Sequence, residues 1–309
     1  MLKKLLATRR PVTVIATAIA AAAAVALSPT TASAVMVFDR AELISKENGL
    51  LYSFRNNGYN GAVNWGPKTQ MGAGWGGVPN SAVYFADLNG ASGYEELISK
   101  ENGLLYSFRN NSSGGGPVSW GPKVQIGGGW GGVPDNAVYF ADLSNDMRAE
   151  LISKENGLLY SFANNGYNSN GTVNWGSKTQ IGGGWGGVPD NAVYFADLSG
   201  DGRAELISKE NGLLYSFANN GYNSNGTVNW GSKTQIGGGW GGVPNSAVYF
   251  ADVSFDGRAE LISKENGLLY SFANNGYNSN GTVNWGSKTQ IGGGWGGVPD
   301  NAVYFADLH

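Results

Sequence analysis

The chain has 309 residues, no cysteine, one histidine and a formal net charge of −3. The histidine is the last residue, His309, so the sequence cannot repeat a Ser-His-Asp or Cys-His nucleophile, and the usual zinc ligands are missing. The slightly negative charge gives no basic footprint for nucleic acid. The composition therefore argues against an enzyme, with no catalytic residues expected, and against a protein that binds nucleic acid.

The first 34 residues have the pattern of a secretory signal peptide. Four basic residues lie among the first ten, an apolar stretch covers 12–27, and Ala32-Ser33-Ala34 fits the small-x-small pattern of a cleavage site. A retained membrane anchor is the alternative, although the apolar run is short for a membrane span. We expect a secreted protein whose mature chain, residues 35–309, is a single domain with no membrane span. Its 16 basic and 23 acidic residues give a formal net charge of −7.

One string of thirteen residues occurs five times. Glu-Leu-Ile-Ser-Lys-Glu-Asn-Gly-Leu-Leu-Tyr-Ser-Phe begins at intervals of 54, 54, 55 and 55 residues, at Glu42, Glu96, Glu150, Glu205 and Glu260. Residues 164–218 and 219–273 differ at only four positions, one of which is Asp190 against Asn245. A period near 50 indicates a propeller or an array of repeats.

The first half of a repeat predicts two strands and a polar loop. Residues 192–197 are short and rich in β-forming side chains. A polar, glycine-containing loop follows over 197–205, and 206–209 form the second predicted strand.

The second half predicts a hairpin and an outer strand. Asn211-Gly212 is a strong hairpin signal, because a type I′ turn needs positive φ at both central residues. Residues 213–217 then form the return strand, and 219–226 are expected to be a long polar loop. The fourth strand is predicted over 227–236 with a break at Gly231, before a glycine-rich connection over 237–244.

Four strands in each of five repeats predict an all-β fold, a five-bladed β-propeller of four-stranded blades. An open β-solenoid is the alternative. The two ends favour a closed ring, because the first repeat has almost no strand before Glu42 and the chain ends with a spare strand at 302–308. We predict that this C-terminal strand completes the first blade and covers edges that an open array would expose.

Several short elements resemble the tachylectin-2 type of lectin, in which similar elements recur in each blade of a five-bladed propeller. The resemblance covers essentially all of 35–309, although this chain has an inserted Gly-Gly-Val-Pro and a longer acidic loop. It implies a sugar-binding propeller, with N-acetylhexosamines as the class of sugar. The elements that carry it are Asn174-Trp175, Lys178, Ile181-Gly-Gly-Gly-Trp185, Val193-Tyr194-Phe195 and Gly212-Leu-Leu-Tyr215.

The acidic loop over 195–205 resembles a second family, the FG-GAP or VCBS repeats of integrin-type propellers and fungal lectins. Loops of that family often hold calcium, which prefers six to eight oxygen ligands around a flexible loop with a glycine at the turn. The alternative is an Asp/Ser-rich turn that satisfies its own backbone. Acidic or hydroxyl side chains stand at loop positions one, three, five and nine in Asp197, Ser199, Asp201 and Glu205; Asp252, Ser254, Asp256 and Glu260; and Asp142, Ser144, Asp146 and Glu150.

Ten tryptophans form two sets of five. The set represented by Trp175 lies in a predicted strand, and we expect it to pack between blades. The other set is flanked by glycines, which let a backbone approach a ligand closely, so its rings could stack on a sugar or wedge between blades. The predicted sugar-binding residues are Trp75, Trp130, Trp185, Trp240 and Trp295, with Asn57, Asn165, Asn220 and Asn275 as polar partners.

The sequence thus supports a secreted lectin that binds glycans at up to five similar sites, with calcium as a possible stabilising ion. Repetition is useful here because several weak sites on one molecule raise avidity by roughly 10²–10⁴ without new contacts. The alternative is an integrin-like adhesion or protein-interaction propeller without sugar specificity. That alternative predicts one dominant face, whereas a lectin predicts equivalent pockets.

Overall fold

A computed structural model describes residues 40–90, 94–112 and 116–309. The predicted signal peptide, 1–34, lies outside these residues. Within them, no helix is long enough and apolar enough to cross a membrane.

The described chain is built almost entirely from short antiparallel strands. In chain order they are β1 (Glu42–Glu47), β2 (Leu50–Tyr59), β3 (Val63–Ala73), β4 (Val83–Ala86), β5 (Glu96–Glu101), β6 (Leu104–Asn110), β7 (Trp120–Gly127), β8 (Val138–Ala141), β9 (Glu150–Glu155), β10 (Leu158–Phe162), β11 (Asn164–Tyr167), β12 (Val173–Trp175), β13 (Thr179–Gly182), β14 (Val193–Ala196), β15 (Glu205–Glu210), β16 (Leu213–Phe217), β17 (Asn219–Tyr222), β18 (Val228–Trp230), β19 (Thr234–Gly237), β20 (Val248–Ala251), β21 (Glu260–Glu265), β22 (Leu268–Tyr277), β23 (Val283–Gly292) and β24 (Val303–Ala306).

These strands form five four-stranded blades, which confirms the predicted propeller. From the axis outwards, the blades are β24-β1-β2-β3, β4-β5-β6-β7, β8-β9-β10-β13, β14-β15-β16-β19 and β20-β21-β22-β23. The predicted ring closure is also confirmed. The C-terminal β24 pairs with β1, with Leu43 opposite Phe305 and Ser45 opposite Val303.

Two short 3₁₀ turns connect each blade to the next. The first begins at the glycine-flanked tryptophan, and the second leads directly into the inner strand. They span Trp75–Gly77, Asn80–Ala82, Trp130–Gly132, Asp135–Ala137, Trp185–Gly187, Asp190–Ala192, Trp240–Gly242, Asn245–Ala247, Trp295–Gly297 and Asp300–Ala302.

The Asn-Gly turns adopt the predicted geometry. Asn211 has φ 51° and Gly212 has φ 77°, and the turn joins β15 to β16 with Glu210 opposite Leu213. Since strands alternate in direction, the turn and the segment before the inner strand lie at one end of each blade. We call this end of the ring the hairpin face, and the end that carries the acidic loops the loop face.

The outer part of the repeat differs from the prediction. Residues 219–226 were expected to be a loop, but Asn219–Tyr222 pairs with Val228–Trp230 as an outer hairpin. The buried amide of Asn219 explains the difference, because it donates to the carbonyls of Leu143 (3.0 Å) and Ala204 (3.1 Å) and holds the segment against the neighbouring blade. The predicted break near Gly231 is present between β18 and β19.

Aromatic side chains join neighbouring blades around the axis. Tyr139 packs on Phe195 with ring centroids 5.5 Å apart, and its hydroxyl donates to the carbonyl of Asp190 at 2.7 Å. The same contacts recur around the whole ring and cross the closure, where Tyr304 donates to the carbonyl of Asn80. Further out, the indole Nε1 of Trp175 donates to the carbonyl of Ile126 in the preceding blade at 2.7 Å. This contact between blades agrees with the packing role expected for this tryptophan set.

Candidate functional site

Polar pockets open on the hairpin face at the boundaries between repeats. Three of them have volumes of about 480, 530 and 500 Å³. Each is bounded by one Lys-Glu-Asn-Gly turn and by the two glycine-rich connections on either side of that turn. The pocket of the third blade is lined by Gly129, Gly132, Val133, Pro134, Lys154, Glu155, Asn156, Gly157, Gly186 and Asp190.

A buried lysine lies in the wall of each pocket. Lys154 lies in β9, five of whose six residues are buried, and is 7% exposed. Its Nζ donates to the carbonyl of Val188 and to Asp190 Oδ1, the latter at 2.8 Å. The same pair of acceptor positions receives the lysine in every blade: Val78 and Asn80 for Lys46, Val133 and Asp135 for Lys100, Val243 and Asn245 for Lys209, and Val298 and Asp300 for Lys264.

The five lysines fall into two classes according to their acidic partner. Lys100, Lys154 and Lys264 form ion pairs with aspartates, whereas Lys46 and Lys209 meet only the neutral side-chain oxygen of an asparagine. Burial lowers the pKa of Lys46 and of Lys209, because no carboxylate offsets the loss of water around the ammonium.

The charge of the glutamate beside each lysine is balanced by a second lysine. Glu155 accepts from Ser153 at 2.7 Å and from Lys178 at 2.6 Å. Burial raises the pKa of Glu155, but the hydrogen bonds from Lys178 and Ser153 outweigh it and bring the pKa below its ordinary value. Lys178 also lies over the ring of Tyr160, 4.1 Å from its centroid. The outer wall of the pocket is therefore held rigid by its own ion pair.

The floor of the pocket requires glycine where the turn meets the connection. Gly157 has φ 77°, and a Cβ there would come within 2.8 Å of the backbone nitrogen of Gly186. The Trp185 backbone N–H donates to the Gly157 carbonyl at 2.9 Å, which fixes this contact. The backbone itself thus forms this part of the surface.

The tryptophans predicted to bind sugar lie beneath this surface. Trp185 is 7% exposed and packs edge-on against Phe217 of the next blade, with ring centroids 5.4 Å apart. None of the tryptophans is among the residues that line the three pockets. Their position anchors the glycine-rich connection, so any sugar contact they make would involve an edge and not an open ring face. The same burial and packing apply to Trp75, Trp130, Trp240 and Trp295.

The structure does not bring the predicted asparagines to the tryptophans. Asn220 is exposed on β17 and donates to the carbonyl of Asn229 at 3.1 Å. Asn57 lies seven residues beyond the start of β2, about 23 Å along the strand, and lines a separate groove of about 280 Å³ with His309. Asn165 and Asn275 are exposed at the equivalent positions.

The acidic loops on the loop face form tight turns around their first aspartate. Asp197 accepts backbone N–H groups from Ser199, Gly200 and Gly202 at 2.7–3.0 Å, while Glu205 accepts from Leu198 N at 2.7 Å. Asp142 and Glu150 have the same roles, and Ser144 donates to Asp142. The second aspartate of each loop, at position five, forms an ion pair with an arginine: Asp146 with Arg148, Asp201 with Arg203 and Asp256 with Arg258.

One loop has a donor arrangement that fits a cation. In the described part of the chain, Asp252, Asp256 and Glu260 form the one acidic group whose ligand atoms lie within 4.8 Å of one another. Ser254 Oγ lies 3.4 Å from Asp252 Oδ1. This all-oxygen set suits calcium. The loops at Asp142–Glu150 and Asp197–Glu205 do not gather their carboxylates as closely.

The glutamate of each loop is buried enough to hold a proton near neutral pH. Burial raises the pKa of Glu150 and Glu205 to about 8, and that of Glu260 to about 7. A cation must displace that proton, so calcium binding here would release protons and tighten as the pH rises.

Sequence reasoning missed the lysines that line the pockets. A signal was present, since Lys209 lies within the predicted strand 206–209, and charged side chains are rarely buried unless paired. The difference between Asp190 and Asn245 was visible as well. Its meaning depends on a lysine 36 residues away in the chain, which the sequence alone does not place beside it.

Comparison with known proteins gives structural likenesses at low identity. No family model and no curated protein sequence matches the chain, so the resemblances to tachylectin-2 and to FG-GAP or VCBS repeats remain predictions. Among solved structures, an Agrocybe aegerita lectin described as recognising non-reducing terminal N-acetylglucosamine has 22% identity and a TM-score of 0.48, covering 86% of this chain and 68% of its own.

Two further structures show the same range of similarity. A Lactobacillus plantarum protein has 15% identity and a TM-score of 0.38, with 81% of this chain and 70% of its own covered. The Photorhabdus luminescens Tc holotoxin pore has 19% identity and a TM-score of 0.42, but only 11% of that chain is covered. At these values, ligand and activity have to be argued from the pockets of the present chain.

Proposed function

We propose that this protein is a secreted, multivalent carbohydrate-binding protein whose sites are the pockets on the hairpin face. The observation that carries the proposal is the repetition of one polar pocket around a rigid ring, each with a buried ammonium, fixed backbone groups and a side-chain carboxylate or amide. Such groups are the hydrogen-bonding partners that sugar hydroxyls need, and volumes near 500 Å³ fall in the range of small-molecule sites.

N-acetylhexosamines are the class of sugar we propose. The support is the order of motifs that resembles the tachylectin-2 type, since the pocket geometry alone does not distinguish hexoses. A single monosaccharide contact of about millimolar affinity corresponds to about −4 kcal/mol, so strong binding is expected only on glycan-coated surfaces, where several pockets act together.

The experiment fills the pockets with longer side chains and leaves the hydrogen bonds of the buried lysines unchanged. Gly132, Gly187 and Gly297 line the three pockets, and a Cβ at any of them meets no atom within 4 Å. The variant G132Q/G187Q/G297Q should therefore fold normally and lose three of the five repeated sites, which leaves two sites and much weaker binding on a glycan array, where avidity dominates. The matched control is Ser224→Gln, an exposed position in the outer hairpin. Full binding by the triple variant at an unchanged Tm would place the sugar sites elsewhere.

Calcium binding at the loop face is a second part of this proposal. The fit of Asp252, Asp256 and Glu260 supports one site, in which these carboxylates and Ser254 would hold the ion. Bound there, calcium would neutralise the acidic loop and tie it to β21. The pockets lie at the other end of the blades, so the ion would stabilise the ring and take no direct part in sugar contacts.

An adhesion propeller is the competing function. It would use one dominant surface and show no loss when the three glycines are filled. The proposal includes no catalytic activity, in keeping with the residue inventory.

A further inference from the structure

The five lysine sites are not chemically equivalent, although their backbones are. Lysine meets aspartate at Lys100–Asp135 (2.7 Å), Lys154–Asp190 (2.8 Å) and Lys264–Asp300 (2.7 Å). Lysine meets asparagine, at 3.0 Å in both cases, at Lys46–Asn80 and Lys209–Asn245. We call these the Asp pockets and the Asn pockets.

The difference leaves one uncompensated positive charge in each Asn pocket. The acidic residue that lines the Lys209 pocket is Glu210. Both of its carboxylate oxygens accept hydrogen bonds from Lys233 at 2.7 Å. The residues lining this pocket include no other titratable side chain. In the third blade the corresponding Glu155 is paired in the same way, but Asp190 balances Lys154. The Asp pocket is therefore neutral and the Asn pocket carries about one positive charge.

The orientation of the asparagine is set by two contacts. Asn245 directs Oδ1 to the Lys209 ammonium, while its Nδ2 donates to Asn191 Oδ1 of the neighbouring repeat at 3.2 Å. Asn80 makes the equivalent bond to Asn301 at 3.3 Å. The amide is thus held in place by the ring, so it cannot rotate to offer a different group to a ligand.

Each buried ammonium has one N–H donor more than the number of acceptors it contacts. An ammonium has three N–H donors, and the hydrogen bonds of Lys209 reach two acceptors, the Val243 carbonyl and Asn245. An unpaired charge in a partly desolvated site is costly, and a ligand anion relieves that cost. A neutral sugar offers only hydroxyl dipoles to the same donor.

We propose that the two Asn pockets select sugars that carry a carboxylate, such as sialic or uronic acids, whereas the three Asp pockets take neutral sugars. This inference rests on the proposed function, because it concerns the same sites. The selecting residues are Asn80 and Asn245, with Lys46 and Lys209 as the cations.

The experiment exchanges the two classes of pocket within the chain. The asparagine sites read Asn-Ser and the aspartate sites read Asp-Asn, so N80D/S81N/N245D/S246N makes every pocket an Asp pocket. Conversely, D135N/D190N/D300N makes every pocket an Asn pocket and keeps Asn191 and Asn301, which orient Asn245 and Asn80. Each exchange places beside the lysine a partner that another blade already accommodates, so both variants should fold, as judged by Tm.

The probes are N-acetylneuraminic acid methyl glycoside and its methyl ester, which differ only in the charge of the carboxylate. Titration calorimetry should give two carboxylate-selective sites per parent chain, none in the all-Asp variant and five in the all-Asn variant. The acid should bind an Asn pocket about tenfold more tightly than the ester, which corresponds to about 1.4 kcal/mol. That preference should weaken as salt screens the charge.

Three outcomes would overturn the inference. Equal affinity for acid and ester in the parent would show that the charge does not select the ligand. An unchanged acid preference in the all-Asp variant would place selectivity outside these residues. Tighter binding of 6-sulfo-N-acetylglucosamine than of the carboxylate, lost in the all-Asp variant, would replace carboxylates with sulfated sugars as the ligand class.

The proposed function can fail separately. If the parent binds N-acetylglucosamine-coated surfaces but the exchanges leave the acid-to-ester ratio unchanged, only the charge selection is wrong. If the parent binds no sugar, neutral or acidic, on a glycan array, both the selection and the proposed function are wrong.

Discussion

Buried lysines and buried tryptophans have different tasks in this molecule, although both recur in every blade. Lys154 lies in the buried strand β9, and its ammonium reaches across to the connection that follows its own blade. Isolated buried charges are unfavourable, and partners make them tolerable. A residue with that cost contributes little net stability, so its repetition in all five blades is better explained by the pocket that it lines.

Trp185 should contribute mainly to stability. Its ring is buried and packs against Phe217 of the next blade, so Trp185→Ala should lower the free energy of unfolding by about 3–5 kcal/mol in urea denaturation. The milder comparison is Trp230→Phe, which keeps a ring but loses the 2.7 Å bond to the Ile181 carbonyl and should cost about 1 kcal/mol.

Trp185→Ala also tests the sugar-stacking prediction for the glycine-flanked tryptophans. A folded Trp185→Ala protein with parental stability and one sugar site fewer would show that this ring contacts ligand. A strongly destabilised variant that retains its binding stoichiometry, measured well below its Tm, would assign the ring to packing alone.

At the scale of elements, the acidic loops show that similar turns can differ in how closely they gather their carboxylates. Asp252 accepts from Phe255 and Gly257 at 2.7 Å, and the neighbouring carboxylates come together around it. Asp142 makes the equivalent backbone contacts with Asn145 and Met147, without that gathering. The turn around the first aspartate is common to both loops, so it is not sufficient for a cation site. The site also depends on the positions of the second aspartate and of the glutamate.

Calcium should raise the Tm of the protein above its value in excess chelator. A ligand of the native state at 100 times its Kd stabilises by about 2.7 kcal/mol. Asp256→Asn should remove most of the difference between calcium and chelator, whereas Asp146→Asn should leave most of it. Differential scanning calorimetry measures both, with magnesium as the ionic control. Superimposable melting curves in calcium and chelator would leave the loops as turns that satisfy their own backbone.

The closing segment should add a pH-dependent contribution to stability. His309 Nδ1 lies 2.5 Å from Glu42 Oε1, and this hydrogen bond raises the pKa of His309 despite burial. Since the folded pKa lies above that of the unfolded chain, the native state binds a proton that the unfolded state has lost. The contribution should be full below about pH 6.5 and disappear as the pH rises through the folded pKa.

The measurement is the Tm difference between the parent and His309→Gln from pH 5.5 to 9. The parent should be the more stable protein at the acidic end, and the two curves should converge at the alkaline end. A constant difference over this range would contradict the prediction, because it would mean that His309 contributes through packing and not through its charge.

For the whole molecule, the fold was predictable because the information is repeated and local. A period near 55 residues, an Asn-Gly turn and short strands rich in β-forming residues specify one blade, and the spare strand at 302–308 indicates closure. The pocket was not predictable in the same way. Its walls come from three segments, the turn at Lys209–Gly212, the connection before it and the connection after it with Asn245, and only the packing of neighbouring blades brings them together.

The tryptophans show a second limit of prediction. Glycines around Trp185 are compatible with ligand stacking and with close packing, because both need a backbone without side chains. The sequence does not say which neighbour covers the ring. That depends on Phe217, which belongs to the next blade.

Ring closure makes the propeller one cooperative unit, and β24 is the element that completes it. It forms four residue pairs with β1, and Tyr304 donates to the Asn80 carbonyl at 2.8 Å while packing against Phe85 at 5.7 Å. Deletion of 302–309 should expose the edge of β1 and open the ring, because an uncovered edge pairs readily with other chains. We expect aggregation or loss of a cooperative melting transition, measured by light scattering and calorimetry.

Two controls separate closure from the loss of individual contacts. Tyr304→Phe removes one hydrogen bond and should cost about 1 kcal/mol without aggregation. A permuted chain that carries 302–309 ahead of residue 37 keeps every strand and joins β24 to β1 by eight residues, as many as separate β14 from β15; it should restore both the Tm and the monomer, because the ring then opens at the connection before Ala302. A monomeric truncated chain with the parental Tm would show that β24 is dispensable, and the closed ring would then have to be held by the contacts between the remaining blades.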